Sequence, residues 1–506
     1  MAIQPCIEAL HSSFTADWEA RYHDDGILVG DSKTLIEMLE HLQTSFRRLG
    51  LTVNLDKCKL WSPNGLREDT SPLPISDWGT PQVVLGTPFG SQEAVRVFLG
   101  QVRAKHHRAM ELLAKFPDPQ VAVALLTYCL RAQKVNHLMR VMLSEDFSDF
   151  VDGTTEDIKD TLEEILGSHL PDATWLQSCL PIRLGGLGVQ NPKFTHLAAF
   201  LSSSLAEITG VFSAVGEETP PDAAFWSTVS QLIVQLGNDD TLSSWQASRS
   251  LPVGAVILEQ KLHEQKIWDD KVYYRVRQDL VDSVALRDRV RLQRQGEPHA
   301  GDWLHVKPNE HLGLRFGAAE YRLLLQFHLG IPLFPSEAAG TPCDHCGEAQ
   351  DVFGDHVVAC RHSGLWGRHN RLRDVVAAIA EVAGFRPEVE VSVLGRKRPA
   401  DVLFRHWPPG QDAAVDLVVT HPLNHSQQWN GTLPAVEKAE QEKVTESVAL
   451  CASANLAFIP LGVDTFGAYG SQGRAALTKL FSRYIKRLAS EGLEGFPGQL
   501  QSEGWH

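Results

Sequence analysis

The stretch that decides the fold runs from Arg398 to Lys443. It reads Arg398-Pro399-Ala400-Asp401-Val402-Leu403, then Ala414-Val415-Asp416-Leu417-Val418-Val419, then Ala435-Val436-Glu437-Lys438-Ala439-Glu440-Gln441-Glu442-Lys443. The first two segments are rich in β-branched and apolar residues, each with one carboxylate, and the third has the composition of a helix. Asp416 sits between Val415 and Leu417 in a strongly apolar run, where a carboxylate needs a cation, a metal or a hydrogen-bond donor. On the helix, Val436, Glu440, Lys443 and Ser447 recur at i, i+4, i+7 and i+11, which places Glu440 and Lys443 on one face. Two carboxylates can hold Mg2+ against a phosphate, and a lysine amine can position or deprotonate the attacking water. Asp401, Asp416, Lys443 and Glu440 are therefore the candidate catalytic residues for metal-dependent phosphodiester cleavage. The bland alternative is a strand pair with carboxylates at its ends beside a solvated Lys/Glu helix.

Immediately upstream lies a second cluster. Cys343, two residues, Cys346, nine residues, His356, three residues and Cys360 have the spacing of zinc ligands. Three of the chain's 8 cysteines fall in this segment. His345 and His362 lie close enough to compete with His356 for the fourth position.

These residues, with Gly354-Asp355-His356, Arg368-His369-Asn370, Val415-Asp416 and Thr465-Phe466-Gly467, resemble the C-terminal region of non-LTR retrotransposon polyproteins. The resemblance is to the type that ends in a zinc knuckle and a restriction-enzyme-like endonuclease of the PD-(D/E)xK class. It covers residues 20 to about 100 and 300 to 470 well and the middle loosely. It implies that Asp401, Asp416 and a displaced lysine, Lys443, form a DNA-nicking site with Mg2+, and that the knuckle holds Zn2+. The family often has a tyrosine one helical turn after that lysine; here the position is Ser447.

Near the N-terminus, Arg21-Tyr22-His23-Asp24-Asp25-Gly26-Ile27-Leu28-Val29-Gly30 places two aspartates at a tight turn between β-prone segments. An amphipathic helix follows, with Leu35, Met38, Leu39, Leu42, Phe46 and Leu49 on one face. The series resembles the Tyr-x-Asp-Asp hairpin of a reverse transcriptase palm, and Leu85-Gly86-Thr87-Pro88-Phe89-Gly90 resembles its primer-grip turn. Asp24 and Asp25 are the polymerase-type metal ligands that this implies. Two-metal nucleotidyl transfer needs a further carboxylate from a separate strand. In the family that strand lies well upstream, and only 21 residues precede Tyr22 here. The palm is therefore expected to be truncated and inactive in polymerisation.

Between these regions, 96 to 190 reads as helical and basic, with Arg103, Lys105, His106, His107, Arg108, Arg131, Lys134, His137 and Arg140, which suits a thumb. Leu184-Gly185-Gly186-Leu187-Gly188 breaks the helices. Residues 191 to 335 read as a helical connector with an arginine stripe at Arg287, Arg289, Arg291 and Arg294. After the knuckle, Arg368, Arg371 and Arg373 open an apolar helix and, with Arg398, are the candidate contacts to nucleic-acid phosphates. Strands are expected at 388 to 394, 399 to 405, 413 to 420 and 456 to 463, with Glu388 or Glu390 as a further metal ligand. A final helix is expected near 473 to 491.

The expected fold class is thus multidomain α+β: palm 1–95, thumb 96–190, connector 191–335, zinc knuckle 336–365, and an α/β restriction-endonuclease-like domain with a mixed sheet, 366–506. The 506 residues are 43% hydrophobic and 22% charged, with no apolar run of transmembrane length and no secretion signal, so a nuclear or cytoplasmic, reducing setting is expected. The net charge of -15 excludes a generic nucleic-acid coat, so contacts to DNA, or to RNA, must be local. A second reading is a zinc-dependent nucleic-acid-binding remnant without cleavage; a third is a decayed element.

Overall fold

Apolar, β-prone runs such as 413–419 and amphipathic helical stretches elsewhere produce a mixed α+β chain, mostly helical, with small sheets. The computed structural model describes residues 3–22, 25–62, 75–76, 81–130, 135–143, 145–215, 221–252, 254–311, 313–362, 364–390, 400–408, 410–423 and 433–490. They group into two compact units, Met1–His106 with Ser144–Phe150, and His107–Leu143 with Val151–His506. Among the described residues, no helix is long and apolar enough to cross a membrane.

In the first unit, the strands Trp18–Tyr22 and Asp25–Val29 form an antiparallel hairpin in which Tyr22 faces Asp25. Asp31 caps the following helix, Ser32–Arg48, by accepting from the N–H groups of Lys33 and Thr34 at 3.1 Å each. That helix buries Met38, and the helix Gln4–Ser13 packs on it, burying Ile7 and Leu10. Of the expected apolar face, Leu49 is exposed, because it lies past the helix end. A second hairpin pairs Gln82–Val84 with Thr87–Phe89. Its turn residues Leu85 and Gly86 both have positive φ, as a two-residue hairpin turn of right-handed twist requires.

In the second unit, helices between Pro119 and Leu166 pack with Ala318–Leu329 around Leu126, Leu162, Leu325 and Trp175. Gly186 marks the tightest approach: a Cβ there would lie 2.0 Å from the Leu180 carbonyl oxygen. The arginine stripe of the helix Leu286–Gln295 is not a solvated basic face. Arg291 is buried and donates to the Gln177 side chain at 2.9 Å and to the His328 carbonyl. Arg294 is buried and ion-paired to Asp464 at 2.6 Å. Arg287 clasps Asp355 through both oxygens, at 2.6 and 3.1 Å. Arg289 donates to the Val281 and Asp282 carbonyls, so the stripe is consumed in internal bonds, of which those of Arg287 and Arg294 hold the connector to segments that follow it.

The C-terminal part is a three-layer sandwich. Helix α1 (Leu365–Val382) leads to strands β1 (Glu388–Val389), β2 (Val402–Trp407) and β3 (Gln411–Thr420). Helix α2 (Ala435–Ser453), strand β4 (Ala457–Asp464) and helix α3 (Ser471–Ser490) complete it. The sheet order is β4-β3-β2-β1, with β4 parallel to β3 and the other pairs antiparallel, so the sheet is mixed as expected. Side chains alternate between faces along a strand. Val402, Phe404, Ala413, Val415 and Leu417 meet α1 and α3 on one face, while Leu403 and Ala414 meet Cys451 of α2 on the other. Phe385, Phe404 and Trp407 stack with centroids 4.9 to 5.9 Å apart. Full burial of each such ring contributes about 1.5–3 kcal/mol.

Candidate active site and metal centre

The register of β2 on β3 builds the carboxylate pair. Val402 pairs with Val415, and the Asp401 N–H donates to the Val415 carbonyl at 2.9 Å, so the next step sets Asp401 across from Asp416. Like charges opposed across a ladder repel. Three contacts answer that repulsion. Lys443 Nζ lies 3.1 Å from Asp416 Oδ2, reaching down from α2. The Leu417 N–H donates to Asp401 Oδ2 at 2.7 Å. His369 Nε2, from α1, lies 3.2 Å from Asp401 Oδ1. Burial pushes the Asp416 carboxyl up to about 6; Lys443 pulls it down, and the neighbouring Asp401 carboxyl works with burial. Two oxygen donors are thus held together by local scaffolding.

Glu440 shares the α2 face with Lys443 but its carboxylate is used elsewhere. Oε1 accepts from the Gly462 and Gly473 N–H groups at 2.9 Å each, and Oε2 from Gln472 at 3.1 Å. Glu440 is fully buried and caps α3 rather than joining the aspartates. Its burial raises its pKa against the pull of those three N–H groups. One helical turn separates it from Lys443, and the sheet surface beneath differs: Gly462 under Glu440, Asp416 under Lys443. Glu388 and Glu390, considered as ligands, are instead paired with Arg405 and Arg373.

The zinc-spaced residues converge. One ligand atom from each of Cys343, Cys346, His356 and Cys360 lies within 4.8 Å of all the others. Cys343 and Cys346 flank a turn closed by the Gly347 N–H to the Cys343 carbonyl at 2.8 Å. The short helix Asp355–Ala359 carries His356 and leads into Cys360. Asp351 fixes its start, accepting from Phe353, Asp355 and His356 N–H groups at 2.7, 3.1 and 2.6 Å. His345 and His362 are exposed and outside the cluster, so geometry selects His356. N–H groups of His345 and Cys346 pull the Cys343 thiol down to about 6, which favours the thiolate a metal needs. A Cys3His set with these separations can hold a metal such as zinc.

The candidate nucleic-acid contacts are unequal. Arg371 is exposed, whereas Arg368 is half-buried and donates to the Val358 carbonyl at 3.1 Å. Arg373 is taken up by Asp374 and Glu390. Arg398 and Asp24 lie outside the described residues, and of Asp25 only the backbone is described. Arg131 and Lys134 also lie outside them; His106 is buried, and His107 contacts Asp157 at 2.9 Å. Sequence reasoning quoted His369 only within Arg368-His369-Asn370 and gave it no role of its own, and Asp464 stands in no local pattern that separates it from a surface residue.

No protein-family model matches the chain, and no curated protein matches it.

Proposed function

We propose that the C-terminal sandwich is a metal-dependent DNA endonuclease of restriction-enzyme-like architecture, in a chain derived from a non-LTR retrotransposon polyprotein. The observation that carries the reading is the meeting of Asp401, Asp416 and Lys443, from three separate stretches of chain, where β2 begins beside the middle of β3. The adjoining Cys3His cluster is the second support.

Asp401 and Asp416 would hold the cation, Asp401 kept in place by the Leu417 N–H and Asp416 by Lys443. Once bound there, Mg2+ supplies a Lewis acid for the phosphate and lowers the pKa of a coordinated water. Lys443, already beside the pair, orients the attacking water or balances the charge that develops on the phosphate oxygens. Water adds to phosphorus, the bond to the O3′ atom breaks, and the strand is left with a 3′-hydroxyl and a 5′-phosphate. In a retroelement that hydroxyl is the primer for reverse transcription. On the same reading, the N-terminal hairpin of Trp18–Tyr22 and Asp25–Val29 belongs to a palm-like region, and the exposed Arg371 of α1 contacts DNA.

Nicking of supercoiled plasmid in Mg2+ tests the proposal. Asp401→Ala is expected to abolish relaxation to the open circle, and Asp24→Ala to leave it unchanged. DNA retention without nicking in Mg2+ or Mn2+ would replace the nuclease with a binding module.

A further inference from the structure

His369 is the one titratable side chain that the described geometry brings to the aspartate pair from the opposite layer of the sandwich. It sits in the second turn of α1, while Lys443 comes from α2 across the sheet. Its Nε2 is 3.2 Å from Asp401 Oδ1, and the other Asp401 oxygen is already held by the Leu417 N–H at 2.7 Å. His369 is itself held. The preceding residue, Arg368, donates to the Val358 carbonyl at 3.1 Å, in the short helix that bears the zinc-ligand candidate His356. The first turn of α1 is thereby tied to the metal cluster, and the next residue is presented to Asp401. The ring is only partly exposed, so its place is set by packing rather than by solvent.

We propose that His369 is a positioning residue of the nuclease site: it fixes the outer oxygen of Asp401 so that the carboxylate meets a divalent cation in one orientation. This rests on the nuclease reading of Asp401 and Asp416. A carboxylate gripped on one oxygen by the backbone can still swing its other oxygen, and a donor on that second oxygen removes the freedom. Donors that orient a ligating carboxylate change metal affinity by about 10- to 100-fold when removed.

The test is Mn2+ binding to the full, zinc-loaded chain, followed by electron paramagnetic resonance, with thermal unfolding as the folding control. His369→Ala is expected to weaken Mn2+ binding about ten-fold. His369→Gln, which keeps an N–H donor of similar reach, is expected to recover most of that loss. If Asp401→Ala loses Mn2+ while His369→Ala binds as tightly as the parent, the positioning role is overturned and the nuclease reading survives. Equal loss in the Ala and Gln variants also overturns it, since the donor would then be irrelevant. If the parent chain itself takes up no Mn2+ beyond the Asp401→Ala background, the nuclease reading falls and takes this inference with it.

Discussion

Asp416 owes its chemistry to two opposing pressures, burial that favours its protonated form and a lysine 3.1 Å away that favours the ionised one. On the nuclease reading, Lys443→Met is expected to lower the nicking rate by at least about 100-fold, the cost of losing one preorganised charge donor. DNA affinity should stay within about two-fold; an equal fall in both would mean that Lys443 acts only as a phosphate contact. Elsewhere, Asp269 has an oxygen that is buried with no hydrogen-bond partner, and burial pushes its pKa from 3.8 to about 7. The folded chain therefore keeps a proton that the unfolded chain gives up across that window, so this group lowers stability as pH rises from 3.8 to about 7. Asp269→Asn should unfold at a higher temperature than the parent at pH 8 and at the same temperature near pH 4. The same gain at both pH values would show that ionisation is not the cause.

At the scale of elements, α2 and α3 are joined through one carboxylate. Glu440 accepts from N–H groups of Gly462, Gln472 and Gly473. A Cβ on Gly470 would lie 2.2 Å from Glu440 Cδ, and one on Gly473 2.8 Å from Oε1. Glu440→Gln replaces one acceptor oxygen with an amide that cannot accept, leaving a buried N–H group unmet at about 1–3 kcal/mol. Urea unfolding should report that loss, while a residual nicking rate scaled to the folded fraction separates a structural role from a catalytic one. This is also where the amphipathic pattern reached its limit. The i, i+3 spacing placed Glu440 and Lys443 on one face correctly, but their partners lie on different strands, and strand register is invisible to helix periodicity. The strands themselves were legible, because a short, nearly continuous apolar run such as 413–419 marks a strand covered on both faces. Strand β1 was expected at 388 to 394; its described part is Glu388–Val389, and 391–399 lie outside the described residues.

At the scale of the second unit, buried charges join segments that sequence reading kept apart. Asp464 is buried against Arg294 at 2.6 Å, and also accepts from the Phe466 and Ala468 N–H groups at 2.9 and 3.1 Å. Arg294→Met would strand that carboxylate, at about 3–5 kcal/mol by analogy with broken buried pairs, and lower the unfolding midpoint accordingly. Arg294→Met with Asp464→Asn should be milder than Arg294→Met alone. The knuckle is gripped in the same way, by Arg287 on Asp355 and by the Arg287 guanidinium 3.8 Å over the Phe353 ring. Removing a metal from the Cys3His cluster with a chelator should therefore lower the unfolding temperature of the whole second unit, not of the knuckle alone, as read by calorimetry.

Local pattern was enough to find the Cys3His spacing, the β-branched strand with Asp416, the helix with Lys443 and the mixed α+β class, because each is written in residues a few positions apart. Tertiary structure alone decided that His356 outranks His345 and His362, that Glu440 caps a helix, that His369 meets Asp401, and that the arginine stripe is internal. Those facts depend on which residues meet across sequence separations of 10 to 170 positions, as with Cys346 and His356 or Arg294 and Asp464. Such meetings follow from strand register and layer packing, whose free energies are summed over the whole core and leave no mark in any single stretch of the chain.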